Sequence, residues 1–486
     1  MKEPISYHNL IPILAFLIAI WVILLIPFQV VGYGFMPPDD ANRHSAKVIS
    51  GKDWGQILVL RDEIKVDSYP GWHAILGFFH KAAGWDQHDL VIFSVISLFV
   101  FFALVPVFFL QYPESWLISL TAVVFIKPGW TTRLFEGRPY IFTMASLLLI
   151  LFIWPSFKNK KKQFVNFIIL TMITALSVWI HASWYFFFLV ALAFILAREW
   201  RASVLIIISS IVGIFLGASF TGHPILFLKQ EILHLIFVFT SHDAERLLVS
   251  ELRPAIGDPL GVFAALMVLG WRGLRGKRVK TSVDNPVFIL AALCFVLCFL
   301  SKRIWIDWGI AAFVVWIAKE IDEFLESTKI AFARQRLALI LASTVIFYLA
   351  FTTDVSSRWS LSRTMDYISM EDKEQAGWLP EPGGIIYSDD MCVFYQIFYK
   401  NPKAPWRYIL GFESAFMPPE DLKILRNIQR NFSCPKDYDP WVRKMTPKDR
   451  LIIRGAPGNQ PKITGLEWHY IALNTWSGKK PEEKNR

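Results

Sequence analysis

Long apolar runs separated by short polar turns occupy the chain as far as residue 353, and beyond residue 360 the pattern changes to short alternating segments. The first run, residues 10–31, is about 22 residues long, enough for a helix to cross a bilayer. Further runs at 89–110, 114–127, 139–155, 164–180, 182–197, 202–220, 258–271, 286–301, 304–318 and 335–353 bring the expected number of spans to about eleven. VVGYGFMPP follows the first run where a cleavable signal would have small residues, so that run is expected to remain as an anchor.

Past residue 360, GGIIYSDD predicts a strand and turn, MCVFYQIFYKN a helix and PWRYIL a strand. PPEDLKILRNIQRNF predicts a capped amphipathic helix, and DRLIIRGA and EWHYIALNTW two more strands. Strand and helix in alternation predict a small α/β layer structure, followed by a polar, disordered tail, SGKKPEEKNR. The expected organisation is a transmembrane domain at 1–355, with a first external loop at 32–88, and a soluble domain at 356–486.

Composition agrees with this pattern. Of 486 residues, 54% are hydrophobic and 15% aromatic, and mean hydropathy is +0.41, as expected of a polytopic α-helical membrane protein. The net charge of +10 raises the question of nucleic acid. The basic residues, however, gather in short loops between apolar runs: Lys158 to Lys162, Arg198 and Arg201, Arg272 to Lys280, and Lys329 to Arg336. That bias is how orientation is encoded, with the N-terminus cytoplasmic and the C-terminal domain outside, and no nucleic-acid partner is expected. Trp21, Trp130, Trp154, Trp179, Trp184, Trp200, Trp271, Trp305 and Trp359 fall near the proposed span ends, where tryptophan anchors helices at the lipid surface. Cys294 and Cys298 are read as buried small hydrophobes, while Cys392 and Cys434 form either a disulfide or two buried thiols. No CxxC or HExxH spacing marks a zinc site.

The candidate chemistry lies where the first run ends, in PPDDANRHSAKVISGKDW. Pro37-Pro38 end one helix, Asp39 and Asp40 follow, and ANRHSAKVIS predicts a short amphipathic helix lying at the lipid–water boundary. Arg43 and His44 come at helical spacing after the acids, so a carboxylate and its charge partner can share a face. Other ionisable residues on the same side are Lys127, Arg133, Glu136 and Arg138 in one loop, His73 in YPGWH and His181 in WIHASWY. Lys302 and Arg303 join them, as does the 221–257 segment with His223, His242, Asp243, Glu245, Arg246, Glu251 and Arg253, read as a lid or a solvated loop.

A first span, an acid pair in DDANRH and a long loop with an interfacial helix resemble the GT-C superfamily of membrane glycosyltransferases, and the likeness of layout runs over most of the chain. The resemblance implies a polyprenyl-phosphate-linked sugar donor, an acceptor that is a lipid, glycan or protein, surrounding membrane lipids, and a site outside the cytoplasm, most simply at a bacterial inner membrane. It assigns Asp39 as general base and Asp40 to positioning the acceptor or a divalent metal such as Mg or Mn, no cofactor being demanded. Arg133, Arg138, Lys302 and Arg303 would stabilise the departing phosphate, with Arg43, His44, His73 and His181 near the acceptor. Attack opposite the phosphate would invert the anomeric centre. Each residue also has a plainer role: the acids as helix caps, the arginines as snorkelling side chains, the histidines as hydrogen-bonded span-end residues. Two rivals share the layout. A transporter or flippase of lipid-linked saccharides would carry ionisable groups at mid-span, which these runs almost lack. A polysaccharide polymerase or ligase would use a different donor.

Overall fold

The computed structural model describes residues 7–240, 253–328, 333–364, 367–472 and 474–481. Among the described residues, six helices are long and apolar enough to cross a membrane: Leu10–Gly32, Gln87–Phe108, Tyr140–Lys158, Lys160–Ile180, Trp200–Ser219 and Gln335–Thr352. Pro113–Ile126, Phe186–Leu196, Pro259–Leu274 and Pro286–Leu297 are apolar but shorter, and Ile310–Thr328 becomes polar after Ala318. A helix thus stands at each of the eleven expected positions, but length and composition support six spans, because a helix needs about 20 residues to cross the hydrocarbon layer. Proline opens the helices at Pro113, Pro259 and Pro286, where a missing N–H costs nothing.

The chain divides into two compact units. The first comprises Met1–Phe35, Phe93–Gly222 and Glu251–Leu361. Within it, Trp200–Ser219 lies along Gln163–Ile180, and two glycines four residues apart set how closely they approach. A Cβ on Gly213 would stand 2.7 Å from the Thr171 carbonyl oxygen, and one on Gly217 2.3 Å from that of Ala175. Small residues at this spacing let two membrane helices touch backbone to backbone. Tyr7–Gly32 packs on Ala333–Thr352, which also packs on Pro113–Ile126. Trp21, Trp200 and Trp271 are exposed, as anchors require, but Trp130, Trp305 and Trp359 are buried. Their indole N–H groups donate to Ile306 O, Asp258 Oδ2 and Phe351 O, so these three belong to the core.

The second unit comprises Met36–Ile92, His223–Ser250 and Ser362–Arg486. Its sheet has the order β2-β1-β3-β5-β4, from β1 (Ile385–Tyr387), β2 (Arg407–Tyr408), β3 (Arg450–Arg454), β4 (Glu467–Ala472) and β5 (Thr475–Lys479). β1 runs parallel to β2 and β3, and β5 runs antiparallel to β3 and β4. The expected last strand is therefore two: EWHYIALNTW turns at Asn474, whose φ of 55° suits asparagine, and re-enters the sheet. Ser477, Gly478 and Lys479, read from composition as tail, lie in β5: Ser477 and Gly478 pair with both β3 and β4, and Lys479 with β4.

The first external segment shares a core with this sheet. Ala46, Trp54, Ile57 and Leu58 pack with Ile386, Phe394 and Tyr408 in one buried cluster. Leu58 bridges Tyr408 in parallel, and the Val59 N–H donates to Tyr408 O at 2.9 Å, so the segment continues the sheet at its β2 edge. Gly411 makes room for it, since a Cβ there would meet Leu58 Cδ2 at 2.7 Å. Residues 32–88, grouped in sequence with the membrane helices, thus pack largely as part of the C-terminal body. Pro224–Thr240, expected as loop, is a helix, while His242, Asp243, Glu245, Arg246 and Glu251 lie outside the described residues. Cys392 and Cys434 are both exposed free thiols, neither bridged nor buried.

Candidate functional site

In the second unit, Asp39 is the N-cap of helix Asp40–Ser50, its carboxylate accepting the Asp40 N–H, and Gly51 in the left-handed region ends the helix. Residues Ala41 through Ala46 are all buried, against helices Pro70–Ala83 and Met391–Lys400. A helix floating on a surface would bury one stripe only, so the predicted interfacial helix is instead enclosed over its first two turns.

Asp40 pairs with Arg43 one turn on, at 2.8 Å from Nη2 and 3.0 Å from Nε, and the Tyr395 hydroxyl donates to the same oxygen at 3.4 Å. The guanidinium is buried between rings, 3.9 Å from the Phe412 centroid and 4.8 Å from that of Tyr69. Burial works against its charge, and Asp40, Tyr69 and Tyr395 more than offset this, so its pKa rises above the usual arginine value.

Behind this pair runs a second chain of contacts. His44 Nδ1 meets His73 Nε2 at 2.8 Å, and His73 Nδ1 meets Asp67 Oδ2. The other oxygen of Asp67 accepts from the Tyr69 N–H at 3.0 Å and the Trp54 indole at 3.2 Å. Burial pushes the His73 pKa down, and Lys47 and Arg43 add to this against the pull of Asp67. Burial of Asp67 opposes its ionisation, but the facing His73, the Tyr69 amide and Lys47 outweigh it and hold the carboxyl below the ordinary range. The Asp67 loop hangs on helix Pro224–Thr240: Gln230 Oε1 accepts from the Lys65 and Val66 N–H groups at 3.1 Å each. Its Nε2 donates to Val66 O at 2.8 Å, and the Ser68 hydroxyl donates to Glu231 at 2.7 Å. An open cavity of about 490 Å³ adjoins this chain, lined by Lys47, Trp54, Arg61, Lys65, Asp67 and Arg407.

In the first unit, the loop arginines meet a carboxylate that the sequence reading passed over. Asp307 sits in a π-helical turn, Ile304–Gly309, and is buried; such turns recur at functional positions. Arg133 grips it in a fork, with Nε on Oδ1 and Nη2 on Oδ2 at 3.1 Å, and Arg303 Nε reaches Oδ2 at 3.1 Å. Glu136 ties in Arg138 at 3.1 Å and Arg133 at 3.5 Å, and the Tyr140 ring lies 4.7 Å from the Arg133 guanidinium. Among the described residues, three guanidiniums, those of Arg133, Arg138 and Arg303, gather on the carboxylates of Asp307 and Glu136. His181 is buried nearby, bonded to Ser183 Oγ at 2.7 Å, with its ring 6.3 Å from Tyr140. Lys302 stands apart, its side chain exposed and its N–H on Arg253 O.

The expected site residues therefore divide. Asp39, Asp40, Arg43, His44 and His73 belong to the second unit, and Arg133, Arg138, His181, Lys302 and Arg303 to the first. Asp67, Tyr395 and Asp307 were missed. DSYP before a helix was a legible signal for Asp67, since an aspartate two residues ahead accepts that turn's N–H, but nothing local marks the other two. Among the described residues, no three His, Cys, Asp or Glu side chains converge as a metal site. Asp40, engaged by Arg43 and Tyr395, does not offer a carboxylate oxygen set that fits a divalent ion.

No protein-family model and no curated protein matches the chain. Its fold does have a solved counterpart in the apo form of the Archaeoglobus fulgidus oligosaccharyltransferase, with a TM-score of 0.53 over 93% of this chain and 70% of that one. At 9% identity the likeness is one of fold alone.

Proposed function

We propose that this chain is a membrane glycosyltransferase of GT-C type, transferring a sugar from a polyprenyl-phosphate-linked donor to a lipid, glycan or protein acceptor. The observation that carries the reading is the fold likeness to an oligosaccharyltransferase along nearly the whole chain. The guanidinium cluster around Asp307 adds to it. When the bond from the anomeric carbon to the phosphate oxygen breaks, charge grows on that oxygen, and Arg133, Arg138 and Arg303, preset by their carboxylates, are suited to receive it without reorganising. Lys302, outside that network, has the weaker claim.

Asp39 is the proposed base, taking the proton of the acceptor hydroxyl or amine as it attacks the anomeric carbon with inversion. Asp40, committed to Arg43 and Tyr395, would position the acceptor. His44, one turn further along the same helix, starts a hydrogen-bonded chain through His73 to Asp67, suited to fixing that helix and its charge state. The enzyme would work in a bacterial inner membrane, with about eleven spans, a cytoplasmic N-terminus and the chemistry outside.

The test is the full-length Asp39→Asn variant, assayed for sugar transfer and, separately, for binding of the lipid-linked donor. Transfer should fall by at least about a hundredfold while donor binding persists, the scale expected for removing a general base. Transfer at the parental rate would remove Asp39 from the role. A chain that moves lipid-linked saccharide across vesicles without forming a glycosidic bond would point to a flippase.

A further inference from the structure

At one end of the helices Tyr140–Ile153, Gln163–Ile180 and Trp200–Ser219 there is a cavity of about 410 Å³ that the chemistry above does not use. Trp154, Lys158, Arg198, Glu199, Trp200 and Arg201 line it. Lys158 reaches Glu199 at 2.8 Å and lies 5.3 Å from the Trp154 ring. Arg198 and Arg201 have no carboxylate partner among the described residues, so the cavity carries unbalanced positive charge. A cavity lined by cations in excess of acids is suited to an anion with several oxygen acceptors.

The backbone adds a second observation. Arg198 follows helix Phe186–Leu196 with φ 62°, and the Glu199 N–H closes the cap on Phe194 O at 2.9 Å. Glycine is the usual occupant of this left-handed cap position, because a side chain there is strained. A residue that only oriented the chain in the membrane would do so equally well from an unstrained neighbouring position.

What surrounds the cavity separates a lipid from a soluble anion. Three candidate spans end or begin here, and Leu196, Trp200 and Val204 are more than half exposed beside the cations. Acyl chains would cover such side chains while the headgroup entered the cavity, the arrangement by which basic pockets between membrane helices hold anionic lipids. We propose that this cavity binds the phosphate of an anionic phospholipid headgroup, with Arg198 and Arg201 as its principal ligands. The site is independent of the transferase reading.

The test is a native mass spectrometry titration of the detergent-purified full chain with phosphatidylglycerol, phosphatidylcholine and, separately, inorganic phosphate. Phosphatidylglycerol should bind well ahead of phosphatidylcholine. Joint Arg198→Gln and Arg201→Gln substitution should weaken phosphatidylglycerol roughly thirtyfold, the loss of two juxtamembrane cations. Arg198→Gly guards against simple misfolding: it should leave the melting temperature unchanged or higher while still weakening the lipid. Equal binding of the two lipids, or undiminished phosphatidylglycerol binding in both variants, would overturn the proposal. Inorganic phosphate bound as tightly as the lipid, with the same dependence on the two arginines, would replace it with a soluble-anion site.

Discussion

Arg133 and Asp307, distant in sequence, meet in a two-pronged ion pair with both side chains almost wholly buried. A buried pair of this kind contributes little when whole and costs much when halved, because the surviving charge has lost its counterion. Asp307→Asn should therefore destabilise the chain by about 3–5 kcal/mol. Arg133→Met with Asp307→Leu should recover most of that stability while abolishing high-affinity binding of the lipid-phosphate donor. Thermal unfolding in detergent and donor binding on the same preparations measure both effects, and intact donor affinity in the apolar pair would exclude the cluster from phosphate recognition.

The two acids should separate cleanly. Asparagine caps a helix about as well as aspartate, so Asp39→Asn should shift stability by well under 1 kcal/mol, and any loss of turnover will report chemistry. Asp40→Asn strips the buried Arg43 of its charged partner and should cost about 3 kcal/mol. Melting curves of the two variants side by side decide this; equal losses would mean that Asp40 is not the structural member.

Stability should fall on acidification, with His73 a main contributor. Its pKa is lower in the folded chain than unfolded, through burial and then the neighbouring cations, so the unfolded state binds the extra proton first. The stabilisation is complete above the ordinary histidine value of about 6.5 and is lost as pH drops through the folded value. Asp67, also depressed, acts in the same direction at lower pH: its contribution is complete above about 3.9 and fades below that. Melting temperatures from pH 8 downward should decline below about 6.5, and His73→Gln should flatten that first decline. An unaltered profile in the variant would show that another group controls it.

Gly217 faces the Ala175 carbonyl too closely for any side chain. Gly217→Ala should force Trp200–Ser219 away from Gln163–Ile180 and cost about 1–3 kcal/mol, whereas Gly270→Ala, with open space around it, should be neutral or mildly stabilising. Similar melting temperatures for the two would contradict the close helix contact.

Ending the chain after Asn474 removes β5, which hydrogen-bonds β3 on one side and β4 on the other. Because Ala46, Trp54 and Leu58 share the core beneath this sheet, the truncation should also expose the first external segment. Limited proteolysis should then cut between residues 52 and 68 in the truncated chain and spare the full-length one.

Much of the secondary structure was legible because its causes are local. A run of apolar residues separates into lipid whatever follows it, a proline opens a helix wherever it falls, and Asp40 and Arg43 meet because a helix brings every third residue round to one side. The count of spans was less legible, since short apolar helices and crossing helices share one composition.

The sequence by itself determined the membrane class, the positions of the helices, the cap at Asp39 and the pairing of charges one turn apart. Tertiary structure alone decided that Trp130 is core and Trp21 is surface, that Leu58 extends a sheet completed by Tyr408, that Asp67 reaches His73 from a loop slung on Gln230, and that Asp307 gathers two arginines. Burial and long-range pairing depend on which other segments arrive at the same place. No local pattern encodes that, because an aspartate in an apolar run looks the same whether its partner is a distant guanidinium or water.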